Sequence, residues 1–239
     1  MDLLVDGFRQ AVLLIVTRDP EVAGITLLTL RVSGTATLFA LALGLPVGLA
    51  LGLRQFPGRN LLLGLVNTGM GLPPVVVGLF VALLLWRTGP LGSLGLMYSP
   101  PAMILAQFVI AFPIIAGLTA AAMQQLDPRI RLQSLALGAS GSQALWTMLG
   151  EARLPLLAAV MAGFGGALSE VGAVMIVGGN LKGLTRVLTT ATVMEVRMGR
   201  FETAIALGLI LLGLSFAVNL LLTMLQQGGT GRWSLRPLQ

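Results

Sequence analysis

The side chains best suited to chemistry in this sequence cluster in LSEVGAVMIVGGNLKGLTRVLTT, residues 168–190. Ser169 and Glu170 sit inside an apolar run, and an acid within a membrane span is costly enough to be a functional candidate by default. A structural lock, with Glu170 paired to an arginine or a helix end, accounts for the same residue. Beyond two glycines come Asn180, Lys182, Thr185 and Arg186. Backbone amides freed by glycine, an amide, a hydroxyl and two cations together make an attractor for an oxyanion. A solvated loop whose cations anchor the ends of spans accounts for them too.

The residue types that are missing narrow the chemistry further. The chain contains no Cys and no His. Disulfides, thiolate or imidazole metal ligands, and any triad needing a histidine base are therefore excluded. Lys182 is the only lysine, and its context GGNLKGL lacks the glycine spacing and the following Ser or Thr of a Walker loop. Neither a cofactor nor a metal is expected. If ATP drives this protein, another chain binds it.

Composition sets the elements that must position these residues. Of 239 residues, 56% are hydrophobic and only 10% charged, with a mean hydropathy of +0.92. A soluble domain carries about 25% charge, so this is an integral membrane protein of the all-α class. The formal charge of +6 comes from basic residues scattered between apolar blocks without aromatic interleaving, which argues against a nucleic-acid partner. Residues 1–18 read as an amphipathic helix lying at the lipid interface, with Asp2, Asp6, Arg9 and Gln10 opposite Leu3, Leu4, Phe8, Val12 and Ile15. The acidic start, short apolar core and missing cleavage site speak against a signal peptide. Asp19, Pro20 and Glu21 then supply a helix cap, a first-turn proline and an acid for the positive end of the dipole.

Five spans follow within a single transmembrane domain over 19–225, at about 34–53, 61–86, 102–123, 156–177 and 204–225, each near the ~20 residues a bilayer requires. Arg31 is expected near one interface. Leu72–Pro74 interrupts the second span and is expected to form a kink facing protein, because freed carbonyls in lipid need partners. Pro113 lies inside the third. The fourth carries small residues at helical spacing, Ala158, Ala162, Gly165 or Gly166, Ser169, Gly172 and Ala173, which suit either helix packing or the wall of a path. Residues 226–239 form a polar tail. An odd number of spans puts the termini on opposite faces, yet the basic residues divide evenly and do not orient the chain.

Between the third and fourth spans, residues 127–155 are too polar for lipid and too apolar for a plain loop. RIRLQSLALG, residues 129–138, places Ile130, Leu132 and Leu135 near one face, and Gly138-Ala139-Ser140 allows a sharp turn into SQALWTMLGEAR. A helix-turn-helix on the bilayer surface could dock into another protein and move the attached spans. Interfacial anchoring would account for it as well.

The order of LGAS at 137–140, a short helix, and Leu154-Pro155 entering a Gly-rich span resembles the EAA loop of MetI-like ABC importer permeases. The Glu-Ala-Ala positions read Leu132-Gln133-Ser134 here, and a few extra residues separate Gly138 from Leu154. DPEV, LRVSGTATL, FPGRN, NTGMGLPPVVVGL, DPRIR, the run from Leu149 to Asn180, and TRVLTT are similar to the permeases of tungstate-uptake ABC transporters, and more loosely to molybdate permeases. The resemblance implies an outer N-terminus, a cytoplasmic EAA loop and a cytoplasmic tail. It implies a homodimer with its pore between two copies, a pair of ATPase subunits inside, and an extracytoplasmic substrate-binding protein. ATPase coupling would then fall to Arg131, Leu132, Leu135, Gly138, Ala139 and Ser140, and the substrate path to Ser169, Glu170, Asn180, Lys182 and Arg186. The expected function is ATP-driven import of a tetrahedral oxyanion, tungstate foremost, with molybdate or sulfate as alternatives. A gradient-driven carrier is the competing class, since such carriers use interrupted helices and buried acids. An intramembrane enzyme lacks paired acids at usable spacing.

Overall fold

The computed structural model describes residues 2–228, which form eleven α-helices, one 3₁₀ turn and no strand among the described residues. In chain order the helices are α1 (Asp2–Val16), α2 (Pro20–Leu53), α3 (Arg59–Met70), α4 (Pro74–Leu85), α5 (Pro100–Gln124), α6 (Pro128–Ala136), α7 (Gly141–Glu151), α8 (Arg153–Leu168), α9 (Gly172–Gly178), α10 (Leu188–Arg197) and α11 (Phe201–Gly228). Of the tail expected at 226–239, residues 229–239 lie outside the described residues.

The long helices α2, α5 and α11 are each apolar enough to cross a bilayer. Helix α2 begins where the sequence marks it, with the Asp19 carboxylate accepting the Val22 amide at 2.9 Å and Pro20 in the first turn. Its 34 residues make a rod of about 51 Å, longer than the hydrocarbon core. At its far end the Arg59 Nε donates to the Leu51 carbonyl at 2.7 Å, satisfying one of the orphaned acceptors.

The tightest packing joins α2 to α5 through Gly44, Gly48 and Gly52. A methyl on Gly48 would lie 2.5 Å from both the Ala116 carbonyl oxygen and the Thr119 Cβ, and one on Gly52 would lie 2.6 Å from the Met123 Cβ. These glycines, four residues apart, let two backbones meet. The stripe expected on the fourth span divides differently. Ala159, Gly163 and Ala167 form the buried face of α8, with a methyl at Gly163 falling 2.6 Å from Ile115. Ala158, Ala162 and Ser169 are exposed on the opposite side, and nothing lies within 4 Å of a methyl on Gly165.

The second and fourth spans are not single helices. The axes of α3 and α4 differ by 104° across Gly71–Pro73. Pro74 contributes no amide, and Pro73 is held extended at ψ 123° by the proline that follows. Residues Gly71 to Val76 are exposed, so the break faces outward from this chain and is not covered by it as the sequence reading expected. The fourth span stops at Leu168 and resumes at Gly172. Helix α1 packs on the start of α11 through Gly7 and Ala11, where a methyl on Gly7 would meet Ile205 at 2.5 Å, while Leu4, Phe8 and Ile15 remain exposed.

Candidate functional site

Glu170 stands in the gap between α8 and α9 and is only 6% exposed. Its carboxylate Oε1 accepts the Ala173 amide at 2.7 Å, and its carbonyl accepts the Thr189 hydroxyl at 3.0 Å. The acid thus caps the resumed helix, which is the structural-lock arrangement. Ser169 turns outward and its hydroxyl donates to the Gly165 carbonyl at 2.8 Å, closing the last turn of α8. The two helix breaks are neighbours: a methyl on Gly172 would meet Val75 at 2.7 Å, and one on Gly78 would meet the Ala173 Cα at 2.5 Å.

Past α9 the chain turns through Gly179 and Asn180, both in left-handed conformation, and then returns to the interior as α10. Non-helical backbone among spans is tolerated only where protein satisfies it. Threonines do so here. The buried Thr185 hydroxyl donates to the Gly178 carbonyl at 2.6 Å and accepts the Leu181 amide at 2.9 Å. Thr190 accepts the Val187 amide at 3.1 Å, and Thr29 on α2 accepts the Leu188 amide at 3.0 Å. The Asn180 amide donates to the Met194 sulfur at 3.5 Å. Sequence reasoning placed Thr185 among the anion donors; the structure uses it to hold the loop.

Lys182 and Arg186 do converge, and on a partner the sequence reading had assigned only to the helix dipole. Lys182 Nζ lies 2.6 Å from Glu21 Oε2, and Arg186 NH1 lies 3.4 Å from Glu21 Oε1. The Lys182 side chain is 67% exposed, so its pair contributes little to stability, about 0–1 kcal/mol. The Arg186 side chain is 13% exposed, and its Nε is buried with no hydrogen-bond partner. A cavity of about 490 Å³ opens beside this cluster, lined by Glu21, Leu28, Arg31, Lys182, Leu184 and Arg186 among others. A smaller one of about 280 Å³ shares Glu21, Lys182 and Arg186 with it and is also lined by Gln10, Asp19, Glu195, Arg200 and Thr203. Glu195, only 8% exposed with Arg200 NH1 3.7 Å from its Oε2, was missed from the sequence because α10 itself was not anticipated.

The surface pair lies at the opposite end of α2. Asp127 caps α6, accepting the Arg129 amide at 2.9 Å. Gly138 takes φ +88°, which a side chain rarely adopts, and so makes the turn. Ser140 and Gln143 form a reciprocal capping box on α7. Helix α6 buries none of its residues, leaving Leu132 65% and Leu135 40% exposed. Two further apolar groups stand out beside them, Leu137 at 89% and Trp146 at 74%, which sequence reasoning did not single out. Arg131 instead lines a cleft of about 430 Å³ with Arg54, Leu53 and Met148 at the end of α2. Ala139 is half-buried at the turn.

Comparison with known proteins accords with this arrangement. Residues 44–228 match the family described as binding-protein-dependent transport system inner membrane component. The chain is 43% identical over 227 residues to the tungstate uptake system permease protein TupB of Peptoclostridium acidaminophilum, covering 95% of this chain and 100% of that one. It is 44% identical over 202 residues to a probable anion ABC transporter permease protein of Haloferax volcanii, covering 82% of this chain and 87% of that one. In fold it is similar to a chain in a crystal structure of an amino acid ABC transporter with histidines, at a TM-score of 0.65 and 19% identity, covering 90% and 97% of the two chains. With its spans, its outlying helix pair and a family match over most of its length, this chain belongs to the inner-membrane components of binding-protein-dependent ABC transport systems.

Proposed function

We propose that this chain is the permease subunit through which a separate ATPase drives a tetrahedral oxyanion, tungstate foremost, into the cell by alternating access. The observation that carries the reading is the position of the two candidate sites at opposite ends of one helix. Glu21, near the start of α2, holds Lys182 and Arg186, while Leu53 at its end shares a cleft with Arg131 of α6. A rigid strut between an anion-facing end and a docking end is what a driven permease requires. The tungstate permease among its relatives supports the choice of cargo.

On this reading α6 and α7 lie in the cytoplasm and fit a groove on the ATPase through Leu132, Leu135 and the Gly138-Ala139-Ser140 turn. The cation end faces outward, toward an extracytoplasmic binding protein. Two copies form the pore between them. The outward row Ala158, Ala162, Gly165 and Ser169 and the uncovered break at 71–76 are surfaces that a second copy would face. Glu170 shapes that path by fixing the break behind Ser169. Lys182 and Arg186 attract the anion, and Asn180 holds their loop.

The test is uptake in proteoliposomes containing the permease, its ATPase and its binding protein. Uphill accumulation of tungstate should require all three together with ATP, and sulfate or molybdate in excess should compete less well. Accumulation by the permease alone, without nucleotide, would place it among gradient-driven carriers instead.

A further inference from the structure

We propose that Arg31, Lys182 and Arg186 form an oxyanion site that the Glu21 carboxylate occupies as a tethered competitor, so that only an anion of higher charge displaces it. The proposal rests on the permease reading above. Glu21 holds the place an oxyanion would take: its two oxygens engage different cations, Oε2 with Lys182 at 2.6 Å and Oε1 with Arg186 at 3.4 Å. Arg186 retains a buried Nε donor without a partner, so the carboxylate does not exhaust the site. Arg31 lines the same cavity of about 490 Å³. Glu21, Gly24, Leu28 and Arg31 follow at spacings of three and four, which place them on one face of α2.

Three cations face one carboxylate along this cavity, and the smaller cavity on the same cluster adds Asp19 and Glu195 against Arg200, so one positive charge is in surplus overall. A carboxylate fixed to the same chain competes at high effective concentration, as any linked ligand does. A free monoanion offers the cations no more charge than Glu21 does and has to leave bulk water to compete. A dianion of the same shape offers twice the charge. Displacing Glu21 weakens every anion by the same factor, so a monoanion, already held more weakly by the cations, falls below the working range while a dianion still binds.

The experiment compares tungstate with perrhenate, tetrahedral oxyanions of nearly equal size that differ by one charge. Equilibrium binding of each is measured on the permease–ATPase complex in phosphatidylcholine nanodiscs without binding protein. The unaltered complex should bind tungstate and discriminate against perrhenate. Glu21→Gln should bind perrhenate and tungstate each about tenfold more tightly, a change of about 1.4 kcal/mol, which brings perrhenate into the measurable range. Arg31→Gln, which leaves both Glu21 pairs intact, should weaken tungstate binding about tenfold. Unchanged affinity for both anions in Glu21→Gln, or unchanged tungstate affinity in Arg31→Gln, would overturn the proposal. So would loss of tungstate binding when phosphatidylglycerol replaces the neutral lipid, since the site would then belong to a lipid phosphate. ATP-dependent tungstate uptake by the unaltered complex, measured alongside, tests the permease reading separately, so either can fail without the other.

Discussion

A buried carboxylate has to be held by something, and at Glu170 the holder is its own backbone, through the Ala173 amide at 2.7 Å. Removing the acceptor leaves that amide unsatisfied in the interior, at a cost of about 1–2 kcal/mol. Glu170→Ala should therefore lower the unfolding temperature of the detergent-solubilised protein, and Glu170→Gln, which keeps an acceptor oxygen, should lower it less. Equal losses in the two variants would mean that the cap is not what holds the break. Charge inside an apolar run is a local property, which is why Glu170, Lys182 and Arg186 were legible from the sequence. Their partners were not. Glu21 lies 161 residues from Lys182, and no spacing rule reaches across the chain to pair them. Thr185 was visible as a donor, but which group it serves depends on the backbone that folds around it.

Helices show the same division between what is local and what is not. The cap at Asp19 and the break at Leu72–Pro74 were readable because capping and proline effects act within a few residues. The break after Leu168 was not, since an apolar glycine-rich run continues through it unchanged and Glu170 reads as a cap only once the break is known. Helix α10 was absorbed into a loop because its threonines resemble loop residues until the interior they satisfy is seen. Gly44, Gly48 and Gly52 stood in the sequence at a spacing of four, yet small residues in a glycine-rich chain do not announce which row is in contact. Gly48→Ala should separate α2 from α5, since its methyl would fall 2.5 Å from a carbonyl oxygen that cannot move away. Overpacking of this kind costs about 1–3 kcal/mol. Thermal unfolding should show that loss, and Gly34→Ala on the same helix, where a methyl meets nothing within 4 Å, should show none. At the turn between α6 and α7, Gly138→Val would oppose φ +88°. It should leave the spans folded while ATP hydrolysis continues with reduced uptake, read as a fall in tungstate moved per ATP.

Across the whole molecule the two ends of α2 are distinct surfaces, and either should be able to fail while the other holds. Leu137 at 89% and Trp146 at 74% exposure present more apolar surface than a polar surface pair needs, and they belong to the same short stretch of chain, 127–155, as Leu132 and Leu135. In a segment too polar for the hydrocarbon core, such a patch suits a partner's groove, and large aromatic anchors dominate protein interfaces. Replacing both, Leu137→Ser with Trp146→Ser, should weaken association with the ATPase by about 30-fold or more, the equivalent of about 2 kcal/mol. Thermal unfolding of the permease alone should change little, because neither side chain is packed within the chain. Tungstate binding at the cation cavity should also persist, as that cavity lies at the far end of a rod of about 51 Å. ATP-dependent uptake should nevertheless be lost. Pull-down of the ATPase, anion binding and uptake measured on the same preparation separate these outcomes. If association with the ATPase survived the double replacement, the docking surface would have to lie elsewhere, and the exposed face of α6 and α7 would return to anchoring the protein at the membrane.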